Sequence, residues 1–162
     1  MSKKTKIRYD DIDAINARSS PDWFAGEECV VAMVTEKMIA QFANVTNNHQ
    51  WIHKPHPYSP GDPYPEQIAQ GLLLLSLIPG GLNDDGFEIV GHKVRVIRGF
   101  ERVRFTYPVR PNATVLLSSR NLKAYPAPSG KGTIVEREIQ LWTDNIVWPE
   151  TVLVCTLKMQ YF

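Results

Sequence analysis

Residues 71–81 read Gly-Leu-Leu-Leu-Leu-Ser-Leu-Ile-Pro-Gly-Gly, the longest apolar run in the chain. Four consecutive leucines cover every side of a helix, and leucine favours that form over a strand built from β-branched residues. A helix apolar all round belongs inside a fold, not on its surface. The run falls short of the roughly 20 residues needed to cross a bilayer. We therefore expect a buried central helix over residues 66–78, stopped by Pro79-Gly80-Gly81, with other elements wrapped around it.

The rest of the chain supplies the wrapping. Segments 88–107, 114–122, 132–143 and 150–161 are rich in Val, Ile, Thr and aromatic residues, and Pro, Gly and Asn separate them. Apolar and charged residues alternate in Val94-Arg95-Val96-Ile97-Arg98 and Val103-Arg104-Phe105, as in an antiparallel sheet with one wet face. Val30 to Val34 predicts a shorter strand. Thr35 then offers a capping hydroxyl and Glu36 a first-turn negative charge, so residues 36–45 predict an amphipathic helix. The sum is an α+β fold of a single domain over residues 21–162. Residues 1–20, polar throughout, read as a mobile arm with one helical turn near Ile12–Ile15.

At 162 residues the chain is one domain, large enough to hold a core without disulfide or metal staples. Eighteen Lys and Arg against 17 Asp and Glu leave a formal charge of +1, which excludes a strongly basic nucleic-acid binder. Cys29 and Cys155 sit in separate apolar runs, where a buried thiol fits better than a disulfide framework. No leader-like apolar stretch follows Ser2-Lys3-Lys4, so the expected location is the cytoplasm, without membrane attachment. There is no phosphate loop, dinucleotide fingerprint or serine elbow.

Chemistry concentrates between Asn47 and Pro65. Five prolines (55, 57, 60, 63 and 65) make this a long structured loop, and such loops usually carry function. It opens with Asn47-Asn48-His49-Gln50-Trp51-Ile52-His53. His49 and His53 have the spacing of a zinc-protease helix, but Gln50 stands where that site needs its glutamate, and Pro55 and Pro57 oppose a continuing helix. No metal is expected.

The same residues resemble the signature of MaoC-like hydratases, most closely their nodulation-protein-N-like branch. That family reads Gly-Asp-His-Gln-Trp-Ile-His and later Ile-Ala-His-Gly opening a buried helix; here the matches are residues 47–53 and Ile68-Ala69-Gln70-Gly71. Gly99-Phe100-Glu101-Arg102-Val103-Arg104-Phe105, followed by Pro108-Val109, also fits, so the resemblance spans about residues 30–162. It implies a hot-dog fold, with a long central helix wrapped by a curved antiparallel sheet. It also implies a homodimer or larger even assembly, and water addition or removal at the α,β bond of an acyl thioester carried by coenzyme A or acyl carrier protein. No further cofactor is implied.

By that resemblance His53 is the proton-transfer residue, and Gly71 presents a backbone N–H to the thioester oxygen. His49, Gln50, Trp51 and Gln70 contribute to the substrate pocket. A glycine at 71 is equally what close packing of a neighbouring strand would require. Trp148 is a further candidate for the pocket or the core. Lys93, Arg95, Arg98, Arg102 and Arg104 read first as a solvated strand face, and otherwise as contacts for coenzyme A phosphates.

The departures fall at the reactive positions. Asn48 replaces the family's catalytic aspartate, Asn47 its glycine and Gln70 its histidine. An amide cannot take a proton near neutral pH but can hydrogen-bond a water or a carbonyl. Asn48 is accordingly read as a water or substrate anchor. Three outcomes stay open: hydration or dehydration with His53 alone moving protons, a diverted biosynthetic tailoring or isomerisation reaction, and silent binding of an acyl thioester.

Overall fold

The computed structural model describes residues 5–19, 29–82, 87–143 and 150–162. The main sheet has five strands: β2 (Cys29–Val34), β4 (Arg95–Phe105), β5 (Ala113–Pro126), β6 (Thr133–Thr143) and β7 (Glu150–Tyr161). Their order is β2-β5-β6-β7-β4, antiparallel throughout. This is the expected α+β hot-dog arrangement. Register shifts interrupt every ladder, for example between Asn121 and Lys123 and between Leu141 and Trp142. Such bulges increase local twist and bend the sheet around what it covers.

What it covers is α3 (Gly71–Gly81). Leu73, Leu74 and Ile78 join one core with Val115, Leu117, Ile139, Leu141 and Leu153. Each such side chain contributes about 1.5–3 kcal/mol on burial. The helix begins five residues later than expected and includes Pro79. Residues 66–70 stay extended because distant groups hold their backbone: Ile68 N–H donates to the Ile52 carbonyl at 2.9 Å and Ala69 N–H to Val109 at 2.7 Å. Nor is the helix buried all round, since Leu72 is 60% exposed.

α2 (Glu36–Thr46) forms where its pattern places it. Thr35 Oγ1 accepts from Met38 N–H at 3.2 Å, and Ile39 and Ala43 face inward. Its end is set by Asn47 in the left-handed region at φ 53°, with the N–H groups of Asn47 and Asn48 both returning to the Ala43 carbonyl. Asparagine is, after glycine, the residue that most readily takes that conformation, so it suits this helix end.

The N-terminal residues pack more than an arm would. β1 (Thr5–Arg8) pairs in parallel with β3 (Phe87–Val90), and α1 (Ile12–Asn16) buries Ile15 completely. Asn16 binds the backbone of Ala124 in both directions, at 2.6 and 3.1 Å. Between β3 and β4, Gly91 at φ 82° breaks what the sequence suggested was one long strand. Cys155 is buried, which pushes its thiol up to about 11. The Cys29 side chain and Trp148 lie outside the described residues.

The outer face of β5, β6 and β7 is polar. Tyr125 O–H donates to Glu136 Oε1 at 2.8 Å, Lys158 and Lys123 flank Glu136 at 3.5 and 3.6 Å, and Arg120 pairs with Glu138. Arg102 donates to Thr156 Oγ1 at 2.8 Å. No helix among the described residues is long and apolar enough to cross a membrane.

Candidate active site

The loop after α2 carries a single 3-10 turn, Trp51–His53, rather than an α-helix. The geometry that would put His49 and His53 on one helical face is therefore not formed. Among the described residues no three His, Cys, Asp or Glu groups converge on a point that could hold a metal ion.

The loop instead fixes His53, which is 8% exposed. Its Nδ1 lies 3.0 Å from the Ile68 carbonyl. A carbonyl can only accept, so in the neutral ring Nδ1 carries the proton and Nε2 the lone pair. The backbone is held as firmly: His53 N–H donates to the Gln50 carbonyl at 3.1 Å, and Gln67 Nε2 donates to the His53 carbonyl at 2.9 Å. Gln67 is itself buried and drew no attention in the sequence. Its position after the Pro65-Glu66 turn gives no signal of this contact.

His53 and Asn48 line a cavity of about 500 Å³ together with Gln70 and Gly71. The backbone of Asn48 is tied to the end of α2 and that of His53 to the segment entering α3, so the two elements jointly set their separation. Gln70 is 3% exposed; its Nε2 donates to the Ile39 carbonyl at 3.1 Å, and its Oε1 is buried without a hydrogen-bond partner. The first two residues of α3, Gly71 and Leu72, have N–H groups with no helical carbonyl behind them. They lie on the cavity wall, so the positive end of the helix dipole faces it. Phe42, Tyr64, Phe105 and Tyr107 supply aromatic walls.

The remaining candidates lie elsewhere. His49 and Gln50 are exposed and line a second cleft, on the α2 side of the loop. Trp51 lines neither cavity; it is 52% exposed and stands edge-on to His56, with ring centroids 5.0 Å apart. Lys93, Arg98 and Arg104 are exposed along or beside β4 and away from the cavity lining.

This arrangement brings together a tautomer-fixed imidazole, an amide and a helix N-terminus around one apolar chamber. Residues 27–123 match the family model described as a MaoC like domain. The chain belongs to the MaoC-like family. Over 86 residues it is 31% identical to 3-hydroxyacyl-thioester dehydratase Z of Mycobacterium tuberculosis (strain H37Rv), covering 53% of this chain and 56% of that protein. Over 84 residues it is 36% identical to Nodulation protein N of Rhizobium meliloti, covering 51% and 52%. The chain thus spans about half the length of these curated relatives. Among solved structures, the A. caviae (R)-hydratase superposes with a TM-score of 0.64 at 15% identity, covering 87% of this chain and 98% of that one. The R-hydratase PhaJ1 from Pseudomonas aeruginosa gives 0.63 at 18%, covering 84% and 79%. At these identities the likeness is one of MaoC-like fold.

Proposed function

We propose that this MaoC-like protein is a lyase that adds or removes water at the α,β bond of an acyl thioester, with His53 as the only proton-transfer side chain. The observation that carries this reading is the Ile68 carbonyl on His53 Nδ1, which leaves Nε2 as the basic nitrogen beside the cavity. In the dehydration direction, Nε2 takes a proton from C2 of a 3-hydroxyacyl thioester. The electron pair of that C–H bond passes onto the thioester oxygen, where the Gly71 N–H holds the developing charge. As it returns, the C2–C3 double bond forms and the C3–O bond breaks. The departing hydroxyl takes the proton from the imidazolium and leaves as water. Hydration is the reverse.

Asn48 donates its amide N–H to the hydroxyl or water oxygen and exchanges no proton. The carrier is coenzyme A or acyl carrier protein, and the aromatic walls suit an acyl group bulkier than a short linear chain. The working unit we propose is a homodimer or larger even assembly in the cytoplasm. Among the described residues β4 pairs only with β7, and Val94, Val96 and Ile97, in or just before this edge strand, are exposed. A bare edge strand with such a surface is a template for pairing with another chain.

A second reading has its own observation. Asn48 cannot ionise, so the same chamber is suited to a tailoring reaction needing one base, or to silent binding of an acyl thioester. Loss of conjugated-thioester absorbance with short, medium and aryl trans-2-enoyl-CoAs separates these readings. Turnover by the native protein that disappears in His53→Ala is expected. Silence of the native protein on all three substrate types would overturn the lyase reading in favour of the second.

A further inference from the structure

Asn48 and His53 line two cavities, not one. Besides the 500 Å³ chamber, they form part of the floor of a cleft of about 400 Å³. Helix α2 shows how the two are separated. Phe42 and Thr46, one turn apart, face the chamber, whereas Glu36, Ala40, Ala43 and Asn44 form a different stripe facing the cleft. Asn48 and His53 stand between, as a septum with one side toward each space.

The two spaces differ in chemistry. The chamber has aromatic and aliphatic walls and receives the N-terminus of α3, so an acyl thioester would fill it. The cleft is walled by exposed Glu36, Lys37, Asn44 and Lys54, and descends to buried Ala43, Gln67 and His53. We infer that the cleft is a water port, through which the water consumed or released in each turnover reaches Asn48 and His53 from behind while the acyl group occupies the chamber. This rests on the lyase reading. Each dehydration releases one water at the atoms these two residues hold, and a bound acyl group blocks its exit through the chamber. A passage on the far side of the septum lets water exchange without release of the thioester.

Ala40 offers the test, because it is exposed on the cleft wall and takes no part in the chamber. In Ala40→Trp an indole covers the cleft. Gln41→Trp, exposed on the same helix but outside the cleft lining, is the control. On trans-2-enoyl-CoAs, Ala40→Trp should lower kcat at least tenfold with KM unchanged, while Gln41→Trp matches the native protein. The shape of the kcat–pH profile should be retained, because a plugged port leaves His53 in place; a displaced imidazole would alter it. A native protein that turns over beside an equally active Ala40→Trp would overturn the port and leave the lyase reading standing. A raised KM with unchanged kcat, or an altered pH profile, would likewise overturn the port, by placing substrate in the cleft or by showing His53 disturbed. Absence of turnover in the native protein itself would overturn both.

Discussion

The ring of Phe105, from the end of β4, packs directly on Gly71 at the start of α3. A Cβ added to Gly71 would meet Phe105 Cδ1 and Cε1, each at 2.8 Å. A methyl at 71 would therefore have to displace the half-exposed Phe105 ring, and the same contact places an aromatic wall beside the free N–H groups of the helix. Gly71→Ala should destabilise the protein by about 1–3 kcal/mol, the usual range for forcing a methyl into filled space. For a chain of this size that lowers Tm by roughly 2–4 °C per kcal/mol. Phe105→Ala removes the obstruction, so the double variant should be more stable than the two single losses summed. Strict additivity in thermal melts would contradict the contact.

By the motif resemblance Asn48 takes the place of the family's catalytic aspartate, and its backbone is locked to the end of α2 through the Ala43 carbonyl. A side-chain exchange at 48 leaves this backbone tie in place and changes only the chemistry presented to the cavity. Asn48→Asp should raise hydration of trans-2-enoyl-CoAs by about 10²–10⁴-fold, the usual contribution of a positioned general acid or base. A rate that stays the same or falls would mean the chamber is organised around the amide itself, as a tailoring or binding site would be.

The strands and α2 were legible because their signals are local: β-branched runs between turn residues, and Thr35 with Glu36 ahead of a 3.6-residue apolar stripe. The start of α3 was not, because Ile68 and Ala69 give their N–H groups to Ile52 and Val109, partners that periodicity cannot reveal. The same holds for the N-terminal segment. Lys6 and Arg8 look like solvent-loving residues, yet between them Ile7 is buried in a parallel pair with β3. At the site, motif spacing singles out His53, Asn48 and Gly71, and the structure brings all three to one cavity lining. Gln67, which holds the His53 carbonyl, and Tyr64 and Tyr107, which line the chamber, come from loop positions whose approach to the site depends on the whole fold.

The edge of β4 that faces away from β7, unpaired among the described residues, bears on assembly. Its register against β7 shifts between Ile97 and Gly99, and Gly99 has open space around it. If a second copy pairs along this edge, Ile97→Lys should shift the protein from dimer to monomer in sedimentation velocity, since it puts a charge on the apolar flank. Val45→Lys, at an exposed apolar position on α2, should leave the mass unchanged. An unchanged mass for Ile97→Lys would place the contact elsewhere.

Glu136 links stability to pH. Burial raises its carboxyl, but the Tyr125 hydroxyl, Lys158 and Lys123 outweigh that and leave it below its ordinary value. The sign follows. A carboxyl depressed in the folded state contributes stability that is fully present above its unfolded value, near 4.5, and is lost as pH falls through the folded value. Tyr125→Phe removes a hydrogen bond to a charged group, a loss of about 1.5–3 kcal/mol at neutral pH. That loss should shrink below pH 4.5, as the carboxyl takes up a proton and the native advantage fades. Glu136→Gln should show the same convergence with the native protein at acid pH. Urea titrations at pH 7 and at progressively lower pH measure it, and a stability gap that stays constant across that range would mean Glu136 contributes through packing and not through its charge.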